Sequence, residues 1–390
     1  MVRQRQELIK LPDVSRMVGE VKVEESRVRQ VEAGMQAFVR IETLPGRHFK
    51  GTVRKVGILP DAQASWMNPN SKVYATEVLI EDDVTTADPI RLRVAVTVAG
   101  DSLTVDWTGT SAQRDNALNV PIASTLSMVN YAVKCIVAPE IAQNEGCNRP
   151  VKLIVPEGTV LNPKRPAAVS VRHLTQQALA DCVLKAMAPL APNHAAAGCH
   201  VSFPTFCAGG FDDRAQVRRD DGSEPYYVIS DIIGGGMGGH SHGDGLDAVD
   251  THGGNCALLS AEVMETLSPF RVLKTELVDG SGGAGQYRGG LGIVRDYEHL
   301  AERSVVGAYV QQTRDDTRPW GLAGGQPGGK AGMWLNPDRP NGEQLNSKVI
   351  GQVLRKGDVL RLVGAGGGGW GDPVKRDAAL AKRDELERFS

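Results

Sequence analysis

Hydrophobic and polar residues alternate with period two in Val18-Gly19-Glu20-Val21-Lys22-Val23-Glu24, which predicts a strand with one wet face. Met35 to Thr43 and Gly51 to Ile58 predict two more strands, joined at Leu44-Pro45-Gly46-Arg47, where Pro-Gly suits a tight turn. Val73 to Glu81 repeats the alternation, so residues 1–83 are expected to form a small antiparallel β-barrel-like segment. A further strand pair, Ile90 to Val98 and Ser102 to Trp107, is expected to meet at Ala99-Gly100-Asp101. The spacing then changes to i, i+3, i+4. Ser124 to Val137 and Thr175 to Met187 carry apolar residues at that interval, and each predicts an amphipathic helix opened by a Ser or Thr N-cap. After Ile233 the pattern is of short β segments broken by glycine as far as Asp372-Pro373. Arg376 to Phe389 predicts a short helix with little apolar face, expected to be exposed and frayed.

Composition sharpens this layout. Five of the 45 glycines fall in the first 83 residues, so the chain changes character near Glu81 to Asp83. The expected fold class is α+β and β-rich, the barrel-like segment being followed by a larger glycine-rich mixed α/β domain. The expected domains are 1–83, an α+β domain at 84–232, a glycine-rich β domain at 233–375 and a polar helical tail at 376–390. With 41% hydrophobic residues the chain can bury cores, and with 44 Lys+Arg against 46 Asp+Glu it offers no net field for nucleic acid. The six cysteines include no Cys-x-x-Cys pair and are expected to be buried reduced thiols. No apolar run reaches the ~20 residues that span a bilayer, and the N-terminal residues lack a signal-peptide core, so a cytoplasmic location is expected.

Candidate chemistry concentrates in the glycine-rich part. In Gly234 to Asp247, His240, His242, Asp244 and Asp247 fall within eight residues, a set whose nitrogen and oxygen donors suit Mn²⁺, Zn²⁺ or Fe²⁺. The same stretch also reads as a glycine-rich turn with incidental histidines. Glu262 and Glu265 stand three apart on a predicted helix, Ser260 to Thr266, as candidate acid and base or as a solvated acidic face. Gly280 to Gly290 could cradle an anion with Arg288 adding charge, but the chain has no Gly-x-x-x-x-Gly-Lys-Ser/Thr, and close backbone packing explains these glycines as well. His48 and His299 are expected at the surface. His200 with Cys207 remains an open catalytic pairing.

Two resemblances follow from ordered motifs. Val31-Glu32-Ala33-Gly34, Leu44-Pro45-Gly46-Arg47, Leu59-Pro60-Asp61-Ala62-Gln63, Trp66 and Lys72 to Val78 resemble the β-barrel region of efflux-pump periplasmic adaptor (membrane fusion) proteins, over about residues 3–82. The longer part is similar to the hydantoinase B/5-oxoprolinase family over about residues 84–376. That similarity runs through Val105-Asp106-Trp107-Thr108-Gly109, Asn144 to Pro150, Pro156-Glu157-Gly158-Thr159, Gly234 to Gly239, Asn255, Glu262, Glu265, Arg288-Gly289-Gly290-Leu291-Gly292 and Gly366 to Pro373. It implies opening of a cyclic amide, a hydantoin or 5-oxoproline, with a hydantoinase A-type subunit handling ATP in a hetero-oligomer. From the residue patterns above, Glu262, Glu265 and Arg288 are the catalytic candidates and His240, His242, Asp244 and Asp247 the metal candidates. The family's N-terminal half, with its own His/Asp-rich motifs, is not matched, so a truncated and impaired subunit is expected. The alternatives are a non-catalytic scaffold or an adaptor fragment.

Overall fold

The computed structural model describes residues 36–40, 48–52, 71–80, 89–387 and 389. The chain divides into two compact units between Pro69 and Asn70. In the first, β1 (Gln36–Arg40) pairs antiparallel with β2 (His48–Thr52), in register from Gln36 opposite Thr52 to Arg40 opposite His48. Val18 to Glu24 lies outside the described residues, and the strand expected from Val73 falls in the second unit.

In the second unit, β3 (Ser71–Ile80) pairs along its whole length with β4 (Ile90–Ala99), from Ser71 opposite Ala99 to Ile80 opposite Ile90. The junction expected at 81–83 thus falls inside a strand-to-strand connection, and β3 belongs with the larger unit. β4 turns at Gly100, whose φ of +60° suits glycine, into β5 (Ser102–Asp106). A helix, α1 (Ile122–Val137), then crosses over to β6 (Val151–Ile154), which lies parallel to β5. The sheet order is β3-β4-β5-β6, and α1 with α2 (Arg172–Met187) covers one face. Ile90, Leu92, Val94 and Val96 point into that face and are fully buried. Each contributes roughly 1.5–3 kcal/mol.

Both helices end where expected, at Val137 and Met187, but begin two and three residues earlier, and neither has a Ser or Thr cap: the N-cap positions are Pro121 and Val171, without a side-chain cap bond. The Thr125 and Thr175 hydroxyls donate instead to the carbonyls of Leu161 and Leu118, each at 2.7 Å, tying the helices to neighbouring loops.

A second core lies between two further sheets. One has the order β14-β11-β7-β8, from β7 (Thr205–Phe211), β8 (Tyr226–Ile232), β11 (Arg303–Tyr309) and β14 (Lys348–Arg355). The other runs β13-β12-β15-β10-β9, from β9 (Phe270–Leu277), β10 (Ile293–His299), β12 (Gly332–Leu335), β13 (Glu343–Gln344) and β15 (Val359–Val363). Phe206, Phe270 and Tyr297 meet in this core, with ring centroids 4.7 and 5.4 Å from Phe206. His299, expected at the surface, is fully buried there: its ring lies 5.2 Å from Phe270 and its Nε2 is 2.7 Å from the Ser304 hydroxyl.

The glycine runs form a bundle of extended segments. The N–H groups of Gly364, Gly367 and Trp370 donate to the carbonyls of Ile293, Gly290 and Tyr287, while those of Gly366 and Gly369 donate to Gly329 and Gln326. Gly236 and Gly239 donate in turn to Ala365 and Gly368, and Gly368 to Gly198. Every third residue therefore faces the same neighbour, the three-residue period of a polyproline II helix, and the segments bond sideways to one another. The packing is backbone on backbone: a Cβ built on Gly236 would overlap the Gly290 carbonyl and the Gly367 nitrogen.

The C-terminal helix, α4 (Ala378–Glu387), is not frayed. Asp384 is buried and pairs with Arg376 (2.6 Å) and Arg288 (3.4 Å), and the Arg288 guanidinium lies 4.6 Å from the Phe389 ring centroid. Charge, not an apolar stripe, docks the tail. Among the described residues no helix is long and apolar enough to cross a membrane.

Candidate functional site

Of the residues singled out in the sequence, Asp244, Asp247 and Arg288 are close in space, and they are bound to one another and to further arginines. Asp244 accepts from Arg376 at 2.8 and 3.0 Å, from Arg383 at 3.1 Å and from the Arg288 N–H at 2.9 Å. Burial alone would raise its carboxyl, yet Arg376 holds it below the usual range. Asp247 accepts from both terminal nitrogens of Arg288, at 2.8 and 3.3 Å, and from the Leu291 N–H at 2.7 Å. His240 is half-buried and its Nδ1 accepts from the His242 N–H at 3.2 Å. Burial, with His242 beside it, lowers its imidazole against the pull of Asp244. The two imidazole rings are 6.4 Å apart, and His242 is exposed.

Glu262 is exposed on α3 (Ala261–Leu267), which is capped by Ser260. Glu265 accepts from the Val272 N–H at 3.3 Å. His200 and Cys207 are not a pair: His200 is fully buried against the Ser202 hydroxyl, held neutral by burial with its pKa pushed down to about 3, while Cys207 is exposed on β7. Of the expected buried thiols, Cys182 and Cys199 are buried, and Cys207 and Cys256 are exposed. In the glycine loop that the sequence leaves open to a phosphate, the N–H groups of Gly283, Gln286, Tyr287, Arg288, Gly289 and Gly290 all have protein acceptors.

A different set converges. Asp181, Cys199 and His252 are all buried, with one potential ligand atom from each within 4.8 Å of the others, the one such group of three or more among the described residues. Asp181 projects from the middle of α2. Its Oδ1 accepts from the Cys199 N–H at 3.3 Å and lies 3.0 Å from His252 Nε2, and its Oδ2 accepts from Trp320 Nε1 at 2.9 Å. The other imidazole nitrogen of His252 lies 3.3 Å from the Tyr131 hydroxyl on α1. Cys199 Sγ accepts from the Gly238 N–H at 3.4 Å.

The backbone fixes these groups. Gln312 clamps the extended segment at Cys199, accepting from the Val201 N–H at 2.8 Å and donating to the Cys199 carbonyl at 3.2 Å. The Gly198 N–H donates to the Trp320 carbonyl, and Gly198 leaves no room for a Cβ beside that indole. His252 has a φ of +39°, a left-handed conformation that costs a non-glycine residue on the order of 1–2 kcal/mol. The Thr251 hydroxyl holds that turn through the His200 carbonyl, at 2.5 Å. Burial works against a charged His252, but Cys199 and Asp181 outweigh it, so the imidazole is raised well above its ordinary value.

Sequence reasoning missed this cluster because its members lie 18 and 53 positions apart, counting from Asp181 to Cys199 and on to His252. The local signal was Thr251-His252-Gly253-Gly254, an imidazole at a glycine turn.

The model of the family described as Hydantoinase B/oxoprolinase matches residues 53–373. A putative B-type component of a D-/L-hydantoinase from Pseudomonas sp. (strain NS671) is 33% identical over 330 residues, covering 81% of this chain and 53% of that protein. The 5-oxoprolinase 1 of Arabidopsis thaliana is 30% identical over 308 residues, 78% of this chain and 22% of that protein. Among solved structures, the ATP-dependent caprolactamase from Pseudomonas jessenii superposes with a TM-score of 0.68 at 23% identity, covering 82% of this chain and 55% of that one. A nucleotide-free acetone carboxylase superposes with a TM-score of 0.66 at 18% identity, covering 82% and 47%. These two show a shared β-rich mixed fold. The family match starts at residue 53, inside the stretch that resembles an adaptor barrel, so part of that stretch belongs to the same family as the rest of the chain. The chain spans about half the length of the hydantoinase component and about a fifth of the 5-oxoprolinase.

Proposed function

The chain belongs to the hydantoinase B/oxoprolinase family, and from that premise we propose that it is the B-type part of an ATP-dependent hydrolase that opens the ring of a small cyclic amide, a hydantoin or 5-oxoproline. The observation that carries this reading is the family match across residues 53–373, with a relative named as the B-type component of a hydantoinase 33% identical over most of the chain. ATP is handled by a hydantoinase A-type partner in a hetero-oligomer. An amide carbonyl is a poor electrophile, and phosphorylation of its oxygen makes the carbon open to water; ring opening then consumes one water across the C–N bond and ATP hydrolysis a second.

The glycine bundle supports the division of labour. A phosphate cradle needs consecutive N–H groups free to face the anion. Here the N–H groups of Gly283 and of Gln286 to Gly290 donate within the protein. A second reading, a docking scaffold without chemistry of its own, is favoured by the closed network of Arg288, Arg376, Asp244, Asp247 and Asp384, which leaves those candidate groups neutralised by each other. The two separate in one experiment. The chain is mixed with an A-type subunit, co-elution is followed by size exclusion, and ring opening is followed with ADP release. Co-elution with turnover supports the enzyme reading, co-elution without turnover the scaffold, and no co-elution contradicts both.

A further inference from the structure

We propose that Asp181, Cys199 and His252 form a binding site for one zinc-like divalent cation, distinct from the His240, His242, Asp244 and Asp247 group. The donor set is a thiolate, an imidazole and a carboxylate, the mixture that Zn²⁺ takes in tetrahedral sites. Their ligand atoms lie within 4.8 Å of one another, and His252 Nε2 and Asp181 Oδ1 are 3.0 Å apart, close to the edge of a small tetrahedron.

Each ligand is also held by a group behind it. Tyr131 faces the other imidazole nitrogen of His252, Trp320 Nε1 donates to the second oxygen of Asp181, and the Gly238 N–H donates to Cys199 Sγ. Contacts of this kind orient metal ligands. The three ligands come from a helix, an extended segment beside the glycine bundle and a left-handed turn, so a shared cation links three parts of the fold that local sequence does not join.

An independent observation points to the fourth position. Gln177 stands four residues before Asp181 on α2, hence on the same face, and is 3% exposed. Its Nε2 donates to the Thr251 carbonyl at 3.2 Å, next to His252. Its Oε1 is buried with no donor among the described residues. A buried acceptor without a donor is costly, and a cation-bound water supplies one. Three protein ligands and a water is the arrangement of zinc sites with an open position.

Zinc binding displaces the Cys199 thiol proton and the proton on His252 Nε2, and both leave to solvent as the Zn–S and Zn–N bonds form. The test uses the full chain purified without chelator and then equilibrated with Zn²⁺ and dialysed. Metal analysis should give about one zinc per chain in the wild type and in Cys256→Ser, and less than a tenth of that in Cys199→Ser. Co²⁺ in place of zinc should give a thiolate-to-metal charge-transfer band that Cys199→Ser lacks. Because Cys199→Ser alters a buried residue and could disturb folding, circular dichroism and a cooperative thermal transition accompany each variant. The proposal is overturned if the wild type retains no zinc, if folded Cys199→Ser retains it, or if His240→Gln loses it while Cys199→Ser does not. None of these readouts depends on catalytic turnover, so their failure leaves the proposed function standing.

Discussion

His252 Nε2 lies 3.0 Å from Asp181 Oδ1 although 71 positions separate the two residues, and the contact joins the middle of α2 to the turn at Thr251-His252, which Gln177 of the same helix also holds. Asp181 is 3% exposed and also accepts from the Cys199 N–H and Trp320 Nε1, so three donors depend on one carboxylate. Removing it strands all of them in a dry interior. Asp181→Ala is expected to lower the free energy of unfolding by about 3 kcal/mol, in the range found when one partner of a buried charged pair is deleted. Urea denaturation followed by tryptophan fluorescence measures this; a loss below about 0.5 kcal/mol would contradict the described role of the carboxylate.

The glycine bundle predicts a sharp contrast between substitutions that look alike in sequence. Gly236→Ala, Gly290→Ala and Gly367→Ala each put a Cβ into a neighbouring backbone carbonyl and are expected to yield insoluble or unfolded protein. Gly307→Ala meets nothing nearer than 3.8 Å and has no positive φ, so it should fold and change stability by at most about 1 kcal/mol. Soluble yield and thermal midpoints of the four variants decide the point. A well-folded Gly236→Ala would refute the backbone-on-backbone packing.

The C-terminal clasp is the third expectation. Arg288 and Asp384 have side chains 7% and 6% exposed, and Arg376 bridges Asp384 to Asp244. Asp384→Ala should therefore free α4 and cost about 1–2 kcal/mol, since Arg288 and Arg376 each lose one partner and keep Asp247 and Asp244. Limited trypsin digestion should cut at Lys382 or Arg383 faster in Asp384→Ala than in the wild type or in Lys375→Ala, which alters an exposed residue. Equal cutting rates would contradict a docked tail.

Acid should destabilise the protein partly through His173, whose ring packs 4.9 Å from Phe203 and 5.4 Å from Tyr309. Burial, with Arg172 adding to it, pushes its pKa down from 6.5 to about 4. Above pH 6.5 the folded and unfolded states both carry it neutral, so it adds no pH dependence. Between 6.5 and about 4 only the unfolded chain takes the proton, and stability falls as pH falls, at no more than about 1.4 kcal/mol per pH unit from this group. His173→Gln should flatten the stability profile in that window and leave it unchanged near neutrality. Denaturation midpoints at pH 7, 6, 5 and 4.5 test the sign; an unchanged acid slope in the variant would rule His173 out as a contributor.

How much could be read from the sequence depended on whether side chains carried the structure. β4 and β5 were legible because Ile90, Leu92, Val94 and Val96 alternate with polar or half-buried neighbours and Ala99-Gly100-Asp101 marks the turn. α1 and α2 were legible in their C-terminal ends and apolar spacing, while their starts were not, because the Thr125 and Thr175 hydroxyls bond to distant carbonyls instead of capping. The glycine runs looked like broken β segments, since a period of three carried by N–H groups leaves no trace in residue type. Asp244 and Asp247 were found together because they are near in sequence, and Arg288 separately in its own glycine loop; the ion pairs that join them were not visible. Asp181, Cys199 and His252 were silent, as each belongs to a different element.

The central claim is that this chain supplies the B-type part of an ATP-dependent cyclic amide hydrolase. The most direct measurement is ADP release and ring opening with 5-oxoproline or a hydantoin, for the chain alone, for an A-type subunit alone and for the two together. The account predicts ring opening coupled to ADP release in the mixture and none from this chain alone. ADP release by this chain alone, or a mixture that co-elutes and opens neither ring above background, would contradict it.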